Sequence, residues 1–573
     1  MRDFLSHLTF LYGAEKAPQL FDRLQRIMAD YRMRIPASSG ELTERDSILI
    51  TYGDQVQRPG EEPLQTLSTF CNRYLDGVVN GVHILPFYPW TSDDGFSVKD
   101  YRKVDPALGN WSDISALGDH FRLMFDAVIN HASVQHDWFQ AFLRDDPQYR
   151  DYFIVVKGNP DLSQVIRPRA LPLLTEFDTS SGIKQVWTTF SEDQVDLNFQ
   201  HPDVLLEITD TLLFYAAQGA HFIRLDAIAY LWKEIGTSSI HLPQTHRIIR
   251  LFRSVLDAVA PHVMLITETN VPHSENISYF GDGRDEAQMV YNFALPPLVL
   301  HTCYTGNSKV LSEWAAELKL PSGQTTFFNF LASHDGIGIN PARGILSDSE
   351  IDTLIERAIQ HGGLVSYKNY AGGVQIPYEL NINYFDALSN PSAEESLSTQ
   401  VDRFLTAQAI MLALVGVPGI YFHSLFGSRS WHEGVGQTGR NRTINRQKFD
   451  LATLESELAD QSSLRYHVYN RYAQLLRARS SSSAFDPHGR QQVVDAGVGL
   501  FALLRVSADA SQHVLCLHNI SDQPQSVTVK LDDAVRASSP QLADLITNQP
   551  MDTPLNGNLI LKPYQTLWLR IKE

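Results

Sequence analysis

Residues 220–228 read AHFIRLDAI: an apolar run that carries an arginine, Arg224, and ends on an aspartate, Asp226. A continuous apolar run of this length suits a strand buried on both faces, as in a parallel sheet covered by helices. Seven more runs share the pattern: SILITYG (47–53), GVHILPFY (81–88), FRLMFDAVIN (121–130), VMLITETN (263–270), MVYNFALP (289–296), TTFFNFLASHD (325–335) and VPGIYFHS (417–424). They recur with polar clusters and helical patterns between them. Eight strand–helix units predict an α/β chain closed into a (β/α)8 barrel.

The rest of the organisation follows from what does not fit that repeat. Leu20, Phe21, Leu24, Ile27, Met28 and Tyr31 recur at helical spacing and predict an outer helix packed on the main domain. The stretches between the third and fourth runs, and between the seventh and eighth, are too long for ordinary connections. Loops of that length carry structure or function of their own, and both leave strand ends where barrel enzymes build their sites. From about Ser483 the pattern changes to short alternating runs, GLFALLRV, HVLCLHNI, QSVTVKL, NLILK and QTLWLRI, which predict an antiparallel β-domain. The expected division is a helical extension over 1–45, the barrel over 46–131 and 201–482, an insertion over 132–200, and the β-domain over 483–573.

Composition narrows the function. Of 573 residues, 43% are apolar and 20% charged, the balance of a globular protein. Lys and Arg number 47 against 65 Asp and Glu, a net charge of −18. That field repels nucleic acid and anionic membrane, so neither is an expected partner. Cys71, Cys303 and Cys516 lie far apart in no metal-ligand spacing and fit a reducing cytosol. MRDFLSHLTF lacks the apolar core of a signal peptide. The longest apolar stretch, AIMLALVGVPGIYF (409–422), is shorter than the roughly 20 residues a bilayer needs. The expectation is a cytoplasmic protein without bound metal or organic cofactor. Its oligomeric state is open, a homodimer included.

The chemistry lies in polar groups that end the apolar runs: Asp126 with Asn130 and His131, Arg224 with Asp226, Glu268, and His334 with Asp335. A lone aspartate after a strand is ordinarily a helix cap. Four carboxylates at the ends of four runs, interleaved with Arg and His, are harder to explain as independent caps. Paired carboxylates serve glycosyl transfer: one, ionised, attacks the anomeric carbon, and the other, protonated, donates to the departing oxygen. A neighbouring Arg keeps the nucleophile charged, while burial or a like charge raises the acid. A metallohydrolase built on His131 and His136 is disfavoured, because no His-x-x-x-His pair of the H-E-x-x-H kind is present.

The segments DAVINH (126–131), FIRLDAI (222–228), ITET (266–269) and FLASHD (330–335) resemble the four characteristic regions of the α-amylase family, glycoside hydrolase family 13. The resemblance implies Asp226 as nucleophile, Glu268 as general acid/base and Asp335 as transition-state stabiliser. It implies that Arg224, His131 and His334 hold the glucosyl unit. It also matches 132–200 to the family's domain B and the tail to its domain C. GVHILPFYPWTSDDGFS, RPRALPLLT, VWTTFSEDQVDLNF, LDAIAYLWKEIGTS and SHDGIGI look like the sucrose phosphorylase subfamily, in which phosphate replaces water as second nucleophile. On that likeness Asp93, Phe96, Tyr230 and Arg442 meet glucose, with Arg446 a competing match for Arg442. Arg169 and Tyr378 serve phosphate and acceptor.

One departure bears on the acceptor. Where sucrose phosphorylases read LYQVN, this chain reads PYELN (377–381), so Glu379 stands for a Gln used around the fructosyl subsite. An ionised carboxylate there accepts hydrogen bonds and donates none. With the N-terminal extension, ETNVPHSENISYFGDG and MVYNFALPPLVLH, this looks most like the branch that cleaves 2-O-α-glucosyl-D-glycerate with phosphate. The expected partners are therefore a small α-glucoside and inorganic phosphate. Arg169, Lys233 and His334 are the candidates for holding the glycerate carboxylate. Sucrose and glucosylglycerol are alternative substrates, hydrolysis or transglucosylation is an alternative reaction, and a non-catalytic barrel is the remaining reading.

Overall fold

A computed structural model describes residues 2–36, 40–168, 171–369, 375–528, 541–551 and 558–572. Eight parallel strands close into a barrel: β1 (Ile48–Thr51), β2 (Gly81–Ile84), β3 (Arg122–Ala127), β4 (Ala220–Leu225), β5 (Met264–Thr267), β6 (Met289–Tyr291), β7 (Thr326–Asn329) and β8 (Val417–Tyr421). Each falls within one of the eight apolar runs. β8 closes the ring between β7 and β1, pairing Ile48 with Gly419. Gly419 is needed there: a Cβ would lie 2.4 Å from the Phe328 ring of β7. Every residue of β1, β2, β6, β7 and β8 is buried, as strands inside a helical shell must be.

Outside the ring, local chemistry fixes the helix ends. Helix Asp348–Gln360 opens on a capping box of Ser347 and Glu350, and helix Trp111–Gly118 on one of Asn110 and Asp113. The N-terminal apolar stripe is helix α2 (Ala17–Arg32), with Leu20, Leu24, Met28 and Tyr31 buried and Phe21 and Ile27 half-buried. A second helix, α1 (Arg2–Tyr12), precedes it. The pair packs on helices Pro202–Ala217 and Pro243–Val259. Tyr12 donates to the carbonyl of Phe199 at 2.9 Å.

The two long connections are folded. After β3, His131–Ser133 pairs with Gln194–Asp196, and Val155–Val156, Gly182–Trp187 and Leu174–Thr179 form a small antiparallel sheet. After β7, Ile337–Gly338, Gln375–Asn381 and Leu364–Asn369 make a three-stranded sheet. At the C-terminus a six-stranded antiparallel sheet is joined by a two-stranded one. It holds strands the alternating runs did not mark, Arg490–Val493, Gln541–Asp544 and Gln549–Met551. These are short and rich in Gln, without a clean apolar face. No helix among the described residues is long and apolar enough to cross a membrane.

Barrel and β-domain are joined by buried guanidinium groups. Arg479 is fully buried and donates to the carbonyls of Leu412, Glu44, Asp46, Gly416 and Phe485 at 2.6–3.2 Å. Arg505 reaches the carbonyls of Ala413 and Asp486, both at 2.8 Å. A hydrogen bond to a charged group contributes about 1.5–3 kcal/mol, and stranding a buried partner costs a similar amount. Arg479→Met is therefore expected to destabilise the protein by about 3 kcal/mol or more, read as a fall in the urea midpoint.

Candidate active site

The carboxyl ends of the barrel strands and the two long connections enclose one cavity of about 690 Å3, its mouth included. Asp93, Phe96, His131, Asp226, Tyr230, Glu268, His334, Asp335, Tyr378 and Arg442 all line it, although they are scattered along the sequence. The barrel explains the gathering. Asp226 follows the last residue of β4 and Glu268 the last residue of β5, and the sheet pairing carries on past both ends: Asp226 N–H donates to Ala127 O at 3.2 Å and Glu268 N–H to Leu225 O at 3.1 Å. The next residue, Ala227, takes a left-handed φ of 49°, uncommon for a residue with a side chain, and its N–H donates to Glu268 Oε2 at 3.0 Å.

Arg224 lies beneath the pair, 2% exposed. It stands level with Asp126 on the neighbouring strand. One guanidinium nitrogen bonds the Asp126 carboxylate and also lies 2.8 Å from Asp226 Oδ1, while the other is 3.9 Å from Glu268 Oε2. His83 Nε2, on β2, meets the far oxygen of Asp126 at 2.6 Å. Asp126 thus faces the barrel interior and does not line the cavity. Burial opposes its charge, but Arg224 and His83 outweigh burial and bring it down to about 2.

Burial pushes both Asp226 and Glu268 upward, and each feels the negative charge of Asp335. Two buried carboxyls beside one guanidinium titrate as a unit. The guanidinium lies 2.8 Å from Asp226 and 3.9 Å from Glu268, so the anion belongs on Asp226 and the proton on Glu268. Asp335 behaves oppositely: burial raises it, but Arg442 foremost, with Arg446 and Arg224, holds it below the ordinary carboxylate range. Burial lowers His334 to about 3, so its ring is neutral; it stacks on Phe96 at 4.6 Å between centroids.

Some nominated residues lie elsewhere. Arg169 is outside the described residues, while the adjacent Pro168 lines the cavity. Glu379 is 1% exposed and behind the wall, its carboxylate held by Arg442 through Nε at 3.0 Å and Nη2 at 2.7 Å. It belongs to Arg442 because a buried carboxylate takes the nearest cation, and it does not line the cavity, against the expectation of a direct contact with the acceptor. Lys233 is also off the wall, paired with Asp196 at 2.6 Å and Asn130 at 2.7 Å. An ammonium buried on these two partners and away from the cavity wall is not placed to meet a ligand's carboxylate. Arg446 lies beyond Asp335, with Nη1 2.6 Å from Asp94 and 3.7 Å from Asp93.

Phe190, Gln194 and Asn270 line the cavity without having been singled out. Phe190 packs edge-on to Tyr230 at 5.7 Å, and Gln194 donates to Phe96 O at 2.9 Å. The first two sit in VWTTFSEDQVDLNF and the third in ETNVPHSENISYFGDG, stretches distinctive as strings but without spacing that marks one residue.

An ionised carboxylate beside a protonated one, with a third carboxylate and two arginines around them, is a site for glycosyl transfer. A family model described as alpha amylase, catalytic domain, matches residues 73–335, and the chain belongs to the α-amylase family. Within it, the chain is 51% identical to the glucosylglycerate phosphorylase of Allomeiothermus silvanus over 99% of its own length and 98% of that protein's. It is 44% identical to the glucosylglycerate phosphorylase of Escherichia coli K12, over 98% and 99%. Among solved structures it is similar to sucrose 6F-phosphate phosphorylase from Thermoanaerobacter thermosaccharolyticum. That match has a TM-score of 0.73 at 26% identity, over 84% of this chain and 94% of the other.

The cavity wall depends on Gly336. A Cβ there would lie 2.5 Å from Glu379 Cγ and 2.6 Å from Leu380 O. A displacement of about 1 Å in a catalytic array costs roughly 100-fold in rate. Gly336→Ala is expected to lower kcat/KM by at least about tenfold with an unchanged circular-dichroism spectrum.

Proposed function

We propose that the protein is a retaining α-glucoside phosphorylase that converts 2-O-α-D-glucosyl-D-glycerate and inorganic phosphate, reversibly, into α-D-glucose 1-phosphate and D-glycerate. The observation that carries this is full-length identity of 44–51% to glucosylglycerate phosphorylases. The arrangement of Asp226, Glu268 and Asp335 supports it.

Asp226 attacks the anomeric carbon, the bond from that carbon to the glycerate oxygen breaks, and Glu268 gives its proton to the leaving oxygen. The product is a β-glucosyl ester on Asp226. Asp335, Asp93, Phe96, His131 and His334 hold the sugar, with Arg224 keeping Asp226 ionised. Phosphate enters the space glycerate has left and attacks the same carbon. The ester bond breaks and its electron pair returns to Asp226. A proton carried by the phosphate passes to Glu268, restoring it. Two inversions leave the α configuration. Tyr378 and Arg169 serve the phosphate side. Small glucosides and phosphate are the partners, and the acidic surface and dispersed cysteines support a cytoplasmic setting.

The first test is release of glucose 1-phosphate with phosphate present, from glucosylglycerate, glucosylglycerol and sucrose in parallel. Strong release from glucosylglycerate is expected. Release mainly from sucrose would overturn the acceptor, and equal glucose release without phosphate would make the protein a hydrolase.

The acid–base roles predict a pH profile. Glu268 must be protonated to act as acid, and its proton is held above the ordinary carboxyl range, so the rate with glucosylglycerate falls as pH rises through that raised value. α-Glucosyl fluoride loses fluoride without needing a proton, so its cleavage should lack this alkaline limb. Glu268→Gln is expected to lose roughly 100- to 10,000-fold on glucosylglycerate and far less on the fluoride. Asp226→Asn should turn over neither.

A further inference from the structure

Arg442 was expected at the glucose end of the site, with Arg446 a rival. The structure separates them. Arg446 reaches Asp94 and Asp93, whereas Arg442 lines the cavity and is held from behind by Glu379. Glu379 is next in sequence to Tyr378, which also lines the cavity, on strand Gln375–Asn381 of the connection after β7.

A guanidinium has five N–H groups in a fixed plane. The Nε–H and one N–H of Nη2 go to the two oxygens of Glu379, at 3.0 and 2.7 Å. Nη1 lies against Asp335 Oδ1 at 2.5 Å. The second N–H of Nη2, and at least one on Nη1, have no hydrogen-bond acceptor among the described residues. Arg442 keeps 19% of its side chain exposed, while Glu379 keeps 1%. The clamp also limits what Arg442 can do to Asp335. An unrestrained arginine beside a carboxylate closes on it with two parallel bonds. Glu379 takes that two-point grip instead and leaves Asp335 a single contact. Both Asp335 and the outer edge of Arg442 then stay available to a ligand.

We propose that Arg442, fixed by Glu379, receives the oxyanion on the acceptor side of the cavity: the carboxylate of the acceptor, or the phosphate that replaces it. Glu379 is a positioning residue in this arrangement and touches no ligand. The inference rests on the reading of the protein as a phosphorylase of an anionic glucoside. It accounts for the glutamate at 379, where a direct ligand of an anion would be electrostatically misplaced. Among the described residues Lys368 is a further cation on this side, with its ammonium 5.5 Å from the centre of the Tyr378 ring.

The test runs the reaction in synthesis, from glucose 1-phosphate, with D-glycerate or the uncharged glycerol as acceptor. The ratio of their kcat/KM values cancels general damage to the site. In Arg442→Met the ratio should fall about 10- to 100-fold, as for one charge-assisted hydrogen-bonded contact. If phosphate is the ligand, the ratio holds and the KM for phosphate in phosphorolysis rises by a similar factor. Glu379→Gln should move the same quantity in the same direction by a smaller factor. The double variant should be no worse than Arg442→Met alone, since Glu379 acts through Arg442. Both quantities within twofold of the parent in Arg442→Met would overturn the assignment. A fall confined to Lys368→Met would overturn it in favour of that ammonium. A parent protein that turns over other glucosides but makes no product with glycerate would sink the acceptor reading itself, an outcome distinct from an unmoved ratio.

Discussion

One cation holds the centre of this molecule together. Arg224 stands inside the barrel with Asp126 on one side and Asp226 above it, and the pairing of β3 with β4 brings Arg224 and Asp126 level. A guanidinium taken out of water is strongly unfavourable unless carboxylates surround it. A carboxylate buried without a cation takes up a proton. Each of these residues therefore depends on the others, and His83 secures the free oxygen of Asp126. The site's division of labour follows. Asp226 lies in contact with the guanidinium and Glu268 is about an ångström farther away, so two similar side chains are given opposite charge states.

The same logic repeats at the rim with different partners. Arg442 sits between Asp335 and Glu379, and Arg446 between Asp335 and the Asp93–Asp94 turn. Asp335 is kept ionised by arginines while its own charge helps keep the proton on Glu268. The carboxylates around the cavity are countered there by arginines, whose planar forks each serve two carboxylates at once.

Much of this was legible in the sequence. The eight strands were, because continuous apolar runs leave few alternatives once there are eight of them. The carboxylates at their ends were as well, because a barrel brings strand ends together wherever they lie in the chain. The side on which Glu379 faces was not legible. That depends on which face of a short strand meets the cavity, and PYELN has no alternation to reveal it. Nor was the separation of Arg442 from Arg446, four residues apart in GRNRTINR, since their difference lies in which carboxylates reach them. Helix α1 was missed as a separate element because its exposed and buried residues, such as Phe10 and Leu8, are equally apolar.

The buried arginines at the foot of the barrel have a further effect. Arg479 binds carbonyls from residues 44–46, just before β1, from 412–416, just before β8, and from Phe485, just after the last helix. β1 and β8 meet where the first and last strands of the barrel complete the ring. In a closed sheet that junction is formed by the parts of the chain farthest apart in sequence, so closing it carries the largest loop entropy. A single side chain stitches it from outside and binds it to the β-domain. The closing of the ring and the seating of the chain that leads into the β-domain thus rest on the same buried guanidinium.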